Sequence, residues 1–189
     1  LSGFKEYPME IAEVASMAME LMSMDEWETF FTDAADLKRA KAHQLERVIT
    51  IFPWIAVIDK FQHWIYEHPV HTHEERTATW NEILKEFQDD VIDYSGLEAY
   101  RSNGWQRQLH LFEVPFYYIE YGIAQLGAIG MWMQYKENKQ LAMDNYCNAL
   151  ALGGTKTLPQ LFETAGLKFD FSPDKIKVLM EFVRSEMNR

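Results

Sequence analysis

The stretch PMEIAEVASMAMELMSM, from Pro8 to Met24, decides the fold class of this chain. It is rich in alanine, methionine, leucine and glutamate, which favour helices, and Pro8 suits a first helical turn because an N–H there has no helical partner anyway. Apolar residues occupy several faces of this helix, so we expect most of its surface to be buried. Its acids therefore stand out: Glu13 and Glu20 share one face with Ser16, and a buried carboxylate must be protonated, paired or bound to a metal.

The rest of the chain also has the pattern of helices rather than strands. Glycine and proline are scarce, at 9 and 6 residues, and no stretch alternates apolar and polar residues over a useful length. Thr72 and Glu75 have the spacing of a capping box, and Pro53 should kink or break a long helix near Phe52. We predict one all-helical unit over 1–189, with helices over 8–24, 26–31, 36–66, 72–88, 139–152, 158–165 and from 172, a loop over 95–104, and a helix or helix pair from about 105 with a boundary at Pro115.

Composition limits the partners and the location of the chain. There are 29 acidic against 18 basic residues, so the net charge of −11 argues against binding to nucleic acid or to anionic membranes. No apolar run is long enough to cross a bilayer. Cys147 is the only cysteine, which excludes an internal disulfide framework and favours a reducing, cytoplasmic location. Because Cys147 lies in an alanine- and leucine-rich stretch, we expect it to be an inert core residue.

Four of the six histidines lie close together, between residues 63 and 73. Their spacing fits no compact zinc motif, so a polar loop with a helix cap explains them better than a metal site. No histidine follows a glutamate by three residues, which excludes the E-x-x-H motifs of di-iron bundles. The H-E-x-x-H motif of zinc peptidases is also absent: His73 and Glu74 begin one, but Thr77 stands where its second histidine belongs.

A second group of polar rings follows His110. Tyr118 and Tyr121 share a helix face at i, i+3 spacing if the helix starts at Pro115, and Tyr117 precedes them. A neutral phenol can donate a hydrogen bond to an oxyanion, and a histidine can do the same or move a proton. The alternative is an aromatic core helix with one hydrogen-bonded histidine, and the residues alone leave both interpretations open.

Three separated blocks resemble one family of enzymes. They read YPMEIAEVASMAMELM (7–22), HPVHTHEER (68–76) and HLFEVPFYYIEYGIAQLGAIGMW (110–132). In this order they are similar to motifs of oligoendopeptidase F, in the thimet oligopeptidase-like family of zinc metallopeptidases. The resemblance implies an all-α, multi-helix C-terminal portion of a zincin-like catalytic domain. It also implies a parent enzyme that cuts short oligopeptides inside a deep channel.

The resemblance assigns roles to particular residues. In the family, two histidines of H-E-x-x-H and a glutamate on the next helix hold one zinc ion, and that glutamate matches Glu13. Ser16 and Glu20, on the same helix face, are candidates for orienting the ligands through hydrogen bonds. The residues that match the family's transition-state donors are His110, Tyr118 and Tyr121, with Tyr117 as a further candidate.

The H-E-x-x-H motif itself is missing from this chain, and the family would place it upstream of Leu1. We therefore expect a C-terminal piece of a zinc metalloendopeptidase, which supplies the third zinc ligand and the oxyanion donors but neither the two histidines nor the general base. Its expected partners are short peptide substrates and the missing N-terminal part of the same enzyme. Alone, the chain should bind zinc poorly, cleave nothing and be able to self-associate through apolar surface that the missing part covers.

Two other functions also fit the sequence. A catalytically inactive helical module that binds peptides or partner proteins would keep this fold and lose the upstream motif. A purely structural helical bundle would need none of the polar residues. Neither of these requires Glu13 together with His110, Tyr118 and Tyr121, so the peptidase is the leading hypothesis.

Overall fold

The computed structural model describes residues 2–88 and 91–188, and every regular element in that part of the chain is helical. The predicted all-α fold class is therefore confirmed. The α-helices are α1 (Met9–Met22), α2 (Ala34–Glu67), α3 (His73–Phe87), α4 (Glu98–Ser102), α5 (His110–Glu113), α6 (Tyr118–Glu137), α7 (Lys139–Ala151), α8 (Leu158–Thr164) and α9 (Pro173–Met187). Short 3-10 helices occupy Ser2–Phe4, Ser23–Thr29, Gly104–Arg107 and Gly153–Thr155.

Several helix ends form as the sequence predicts. The Thr72 hydroxyl accepts a hydrogen bond from the Glu75 backbone N–H at 3.1 Å, and the Glu75 carboxylate accepts one from the Thr72 N–H at 2.7 Å, so α3 starts with a capping box. The Ser172 hydroxyl caps α9 by accepting from the Lys175 N–H. Gly166, just past α8, has a left-handed backbone with a φ of 71°, as a helix-terminating glycine does.

Two predicted elements differ from the structure. The helix predicted over 26–31 is present with other bounds, as a 3-10 helix over Ser23–Thr29. The Ser23 hydroxyl donates to the Glu20 carbonyl at 3.2 Å, and this local bond competes with continuation of the α-helical pattern. The loop predicted over 95–104 contains α4. There the indole N–H of Trp80 donates to the Arg101 carbonyl at 2.9 Å, so tertiary contacts stabilise a short helix in a polar stretch.

Pro53 lies inside α2, which runs unbroken through it. A proline in a helix interior removes one backbone hydrogen bond, but the predicted break near Phe52 does not occur. The residues that follow are deeply buried: Ile55, Val57, Ile58 and Phe61 are at most 3% exposed. Burial of this apolar face outweighs the lost bond, since each large apolar side chain contributes about 1.5–3 kcal/mol.

Contacts divide the chain into two compact units. The first contains the residues up to Ile49 and those from Glu120 onward, and the second contains Thr50–Ile119. The core of the first unit packs α1 against α6 and α8, and its buried members are Ile11, Val14, Ala124, Leu161 and Phe162. The prediction of a single unit over 1–189 is not decided by this division and stays a prediction.

Gly127 permits the close approach of α1 and α6 in the first unit. A Cβ atom at Gly127 would lie 2.7 Å from the Val14 side chain and 3.2 Å from the Phe162 ring. Only one stripe of α1 is fully buried in this packing, so the expectation that most of the helix is buried is wrong. Ser16 and Glu20 lie off that stripe and are exposed.

The core of the second unit is aromatic. Phe61 and Trp80 meet edge to face with ring centroids 5.0 Å apart, and Trp54 meets Trp80 at 5.9 Å. Trp105 packs against Phe61 at 5.9 Å. Such aromatic pairs add about 0.5–1.5 kcal/mol each beyond their burial. This core joins α2, α3 and the Gly104–Arg107 helix, and so fixes the start of the loop that leads to α5.

Cys147 is exposed on α7, so the expectation of a core thiol is wrong. The buried residues of α7 are Ala142 and Ala149, and Cys147 lies outside the stripe that they form. Within the described residues, no helix has the length and apolar character needed to cross a bilayer.

Candidate active site

A turn between α5 and α6 brings His110 and Tyr118 together. His110 is the first residue of α5, and Tyr118 is the first residue of α6. Their rings meet edge to face with centroids 5.0 Å apart, and the Tyr117 ring lies 6.0 Å from that of His110. The three predicted neighbours His110, Tyr117 and Tyr118 therefore form one cluster within the second unit.

Gln108 fixes the orientation of the His110 ring. The side-chain amide nitrogen of Gln108 lies 2.8 Å from Nδ1 of His110. An amide nitrogen only donates, so Nδ1 accepts and the neutral ring carries its hydrogen on Nε2. The Gln108 side chain is also hydrogen-bonded to Tyr118. One amide therefore connects both predicted oxyanion donors.

Tyr118 is buried, with 9% of its surface exposed, and its hydroxyl accepts a hydrogen bond from Nε1 of Trp54 at 3.0 Å. Burial raises the pKa of this phenol above its ordinary value, and the hydrogen bonds with Trp54 and Gln108 offset the rise only in part. The phenol therefore keeps its hydrogen at neutral pH. A neutral phenol whose oxygen already accepts one bond is well suited to donate that hydrogen to a developing negative charge.

The turn itself depends on Phe116, whose backbone is left-handed with a φ of 59°. A non-glycine residue held in this region costs on the order of 1–3 kcal/mol. The Phe116 N–H donates to Oε1 of Gln62 at 2.9 Å, and its ring packs against Tyr66 at 5.0 Å. Gln62 is only 2% exposed, so α2 holds the turn from inside the unit. The residues Trp54, Gln62, Gln108, His110, Phe116 and Tyr118 together form the tyrosine network.

Glu13 and Tyr121, the other predicted site residues, belong to the first unit. Tyr121 lies one turn after Tyr118 on α6, at the predicted i, i+3 spacing, and is half-buried. Glu13 is half-buried on α1. The structure therefore places both on helices with partly covered side chains, as a role in a site requires.

Three acids, Glu10 and Glu13 on α1 and Glu120 on α6, form the carboxylate cluster. Burial raises the pKa of Glu120 above its ordinary value, and the negative charges of Glu10 and Glu13 raise it further. One carboxylate oxygen of Glu120 is buried and has no hydrogen-bond partner among the described residues. Because like charges repel, a positive charge placed near this cluster would stabilise it.

Ser16 and Glu20, predicted to orient metal ligands, are exposed on α1 and make other bonds. The Ser16 hydroxyl donates to the backbone carbonyl of Glu13 at 3.0 Å. The Glu20 carboxylate accepts a hydrogen bond from Nε2 of Gln44 at 3.1 Å. Neither of these two bonds involves the Glu13 carboxylate, and the orienting role of both residues stays a prediction.

Two of the clustered histidines, His68 and His71, lie in the loop between α2 and α3. Nδ1 of His68 lies 2.9 Å from the Trp64 carbonyl, and Nε of Arg76 donates to Nε2 of His71 at 2.7 Å. Throughout residues 2–88 and 91–188, no three His, Cys, Asp or Glu side chains are grouped so that they could hold a metal ion. The contacts agree with the interpretation of this stretch as a polar loop and helix cap.

The sequence pattern of peptidase family M3 matches residues 1–180. This chain belongs to peptidase family M3. A curated relative, an oligoendopeptidase F homologue from Borreliella burgdorferi, is 28% identical over 158 residues, which is 79% of this chain and 25% of that protein. The predicted resemblance to oligoendopeptidase F is thereby confirmed.

Two solved structures share the fold of this M3 chain. A crystal structure of a protein assigned as an oligoendopeptidase F has a TM-score of 0.87 and 29% identity, over 100% of this chain and 33% of that one. PZ peptidase A, solved with an inhibitor, has a TM-score of 0.86 and 29% identity, over 98% of this chain and 33% of that one. The chain thus spans a quarter to a third of the length of the relatives it matches.

The M3 chain offers only part of a metal site. The carboxylate cluster has the charge that a cation needs, and Glu13 lies within it. The sequence contains no H-E-x-x-H motif, and the described residues hold no complete group of metal ligands. The residues present therefore fit one ligand of a zinc ion rather than a whole zinc site.

Sequence reasoning missed several residues of these two groups. Trp54, Gln62 and Gln108 are uncharged and belong to no recognisable pattern, so only their contacts reveal them. Glu120 did carry a signal, because it is an acid inside a long apolar helix, as Glu13 is. Like Glu13, Glu120 is a carboxylate that must be protonated, paired or bound to a metal when it is buried.

Proposed function

We propose that this M3 chain is part of a zinc-dependent metalloendopeptidase that hydrolyses peptide bonds in short oligopeptides. The observation that carries the proposal is the pairing of His110 with Tyr118 at the end of the strained Phe116 turn. The pair presents a histidine N–H beside a neutral, buried phenol. Donors of this kind stabilise the oxyanion that forms when a peptide carbonyl is attacked.

The proposed donors form two groups. One group binds the reacting carbonyl, and the other binds the backbone of the rest of the substrate. His110, through Nε2, and Tyr118 donate hydrogen bonds to the oxyanion of the tetrahedral intermediate. Tyr121, one turn further along α6, and Tyr117, beside His110, donate to the substrate backbone. Removing one oxyanion donor from an enzyme of this type lowers kcat by about 10²–10³-fold.

Glu13 is the proposed third ligand of the zinc ion. The other two ligands are histidines of an H-E-x-x-H motif that this chain does not contain, and the same motif supplies the general base. The carboxylate cluster supports this assignment, because a cation offsets the repulsion that Glu10 and Glu13 exert on Glu120. Zinc, when bound, supplies Lewis-acid activation of water and of the carbonyl. Ser16, bonded to the Glu13 carbonyl, orients the ligand through the backbone of α1.

On this proposal the 189-residue chain is inactive by itself, since it has one metal ligand and no general base. Its partners are short peptides and the segment that carries H-E-x-x-H, and its acidity and lone cysteine fit a cytoplasmic protein. The alternative, an inactive binding module, needs neither the strained turn nor a buried neutral phenol. Membership of a peptidase family favours the enzyme.

The test compares this chain with the product of its complete reading frame, using a quenched fluorescent oligopeptide with and without a chelator. We expect turnover only from the complete product, and we expect the chelator to abolish it. In that product, Tyr118→Phe should lower kcat by about 10²–10³-fold, because one oxyanion donor is lost.

Tyr135→Phe is the matched control, since it makes the same change near the far end of α6, where the ring lies beside Lys139. Its kcat should stay within about twofold of the parent, as expected for a substitution outside the site. Turnover that survives the chelator, or a Tyr118→Phe variant as active as Tyr135→Phe, would disprove the proposal.

A further inference from the structure

A cavity of about 960 Å³ lies within the second unit, beside the tyrosine network. It is bounded by α3, α4 and the Gly104–Arg107 helix, together with Trp54 from α2. Its walls are largely apolar and include the aromatic rings of Trp54, Trp80, Tyr94 and Tyr100. A cavity of this size, apolar with a few polar groups, is typical of sites that bind small ligands or part of a peptide.

Two arginines give this cavity a positive charge. Arg101 and Arg107 are the only charged side chains among the described residues that line it, in a chain whose net charge is −11. The Arg101 guanidinium lies 4.8 Å from the centre of the Tyr94 ring, and that of Arg107 lies 6.0 Å from the centre of the Trp54 ring. Stacking on a ring holds a guanidinium in place while its N–H groups point outward in the plane, where they match a carboxylate.

Arg101 also has hydrogen-bonding capacity that the described residues do not use. Its Nε atom is buried and has no hydrogen-bond partner there. A buried donor without an acceptor destabilises the protein by about 1–3 kcal/mol, so an anion that engages this guanidinium gains from a group already positioned. A carboxylate is an acceptor that a guanidinium binds strongly.

The Trp54 side chain lies between the cavity and Tyr118, the proposed catalytic tyrosine. The Trp54 ring forms part of its wall, and Nε1 of the same ring donates to the Tyr118 hydroxyl at 3.0 Å. A peptide group held against Trp54 is therefore close to the donor that acts on the reacting carbonyl. Trp54 therefore connects the cavity to the proposed site of peptide cleavage.

We propose that this cavity binds the C-terminal end of a peptide, with the terminal carboxylate held by Arg101 and Arg107 and the last side chain packed on the aromatic walls. The proposal rests on the proposed peptidase function and names the end of the substrate that the site reads. An internal acidic side chain offers the same carboxylate, but a chain end brings its carboxylate and an apolar side chain on one residue. That combination matches two arginines set among aromatic rings.

The test measures binding to the 189-residue chain by calorimetry and by tryptophan fluorescence, and needs no turnover. The probes are an N-acetylated pentapeptide that ends in phenylalanine with a free carboxylate, its C-terminal amide, and the same amide with an internal aspartate. We expect the free acid to bind at least about tenfold more tightly than either amide, because only it offers the terminal carboxylate. Equal binding of acid and amide, no binding of any probe, or equal binding of the aspartate peptide would each overturn the proposal.

Arginine variants then locate the binding site. Arg107 is exposed, so Arg107→Gln should fold normally and reduce the preference for the acid to within about threefold, while Arg107→Lys should keep part of it. Arg101→Gln should have the same effect, with circular dichroism confirming its fold. Arg39→Gln is the control, because Arg39 pairs with Asp36 on the surface of α2 and should leave the preference unchanged. A preference that survives Arg107→Gln overturns the proposal.

The outcomes separate this inference from the proposed function. If acid and amide bind equally while the complete product still hydrolyses peptides, the assignment of the cavity is wrong and the peptidase function stands. If the acid is preferred while the complete product has no chelator-sensitive turnover, the cavity binds a peptide end and the peptidase function is wrong.

Discussion

The tyrosine network and the carboxylate cluster differ in how their polar groups are satisfied. In the network, Gln108 bonds to His110, Trp54 bonds to Tyr118, and Gln62 bonds to the strained Phe116 backbone. In the cluster, burial and the negative charges of Glu10 and Glu13 raise the pKa of Glu120, and an oxygen of Glu120 is buried without a partner in the described part of the chain. Each group thus contains one buried atom without a hydrogen-bond partner among the described residues, Nε2 of Gln62 in the network and Oε2 of Glu120 in the cluster, but only the cluster also brings acidic side chains near one another.

This difference shows which kinds of polar group a folded chain can place close together before a ligand binds. Neutral donors such as an amide or a phenol can be buried and bonded to one another without a large electrostatic cost. Grouped carboxylates cannot, because each ionised neighbour makes the next less favourable. The raised pKa of Glu120 is an example, since the charges of Glu10 and Glu13 contribute to it, whereas the neutral groups of Gln108, Trp54 and Tyr118 are joined by hydrogen bonds.

The largest expected effect comes from breaking the network at Gln62. Gln62→Leu keeps the volume but leaves the Phe116 N–H without its acceptor, in a turn that is already strained. We expect the free energy of unfolding to fall by about 1–3 kcal/mol, measured by urea denaturation. Gln106→Leu, at an exposed position in the same unit, should change it by less than about 0.5 kcal/mol. Equal effects of the two variants would show that the turn does not depend on Gln62.

A smaller effect of opposite sign is expected in the carboxylate cluster. Glu120→Gln removes one of three repelling charges, so at pH 7 in the presence of a chelator it should raise the free energy of unfolding, by about 1 kcal/mol or less because water screens a partly exposed group. Asp25→Asn is the counterpart, since Asp25 pairs with Lys136 and Lys139 in the same unit, and it should lower stability by a similar amount. Destabilisation by both variants would contradict the assigned repulsion.

The smallest expected effect is the pH dependence that the Glu120 carboxyl gives to the free energy of unfolding. The pKa of Glu120 is raised in the folded chain, so the native state binds more protons than the unfolded state above the ordinary value of 4.5. Stability is then lost as the pH rises from 4.5 through the folded pKa, and below 4.5 the group has no effect. Thermal unfolding at pH 4 and pH 7 should therefore show a gain for Glu120→Gln only at pH 7. A gain of the same size at pH 4 would point to a cause other than charge.

The sequence predicts local structure well where a few neighbouring residues decide it. The capping box of Thr72 and Glu75 and the terminating Gly166 form as expected, because each depends on backbone groups within a single turn. The left-handed Phe116 could not be predicted, since a phenylalanine avoids that conformation and the groups that contact it, the Gln62 amide and the Tyr66 ring, are distant in sequence. Pro115 predicts a helix boundary in this region, but it does not predict the backbone conformation of the turn.

The candidate site was predictable to the extent that its residues carry chemistry in their side chains. His110, Tyr117 and Tyr118 stood out as polar rings close in sequence, and the structure brings them together. The Gln108 side chain is an ordinary amide, and no pattern in the neighbouring sequence predicts its hydrogen bond to His110. The carboxylate cluster lies between these cases, because Glu13 was singled out while Glu120, an equivalent acid on a second helix, was not.

The exposed position of Cys147 has a practical consequence. It is the only thiol in the sequence and lies on the surface of α7, so a maleimide reagent can attach a fluorophore or a spin label there without any substitution. The label would lie in the first unit, whereas the aromatic cavity and its two arginines lie in the second. Association of the chain with a larger partner could thus be followed through one reporter on the unaltered sequence.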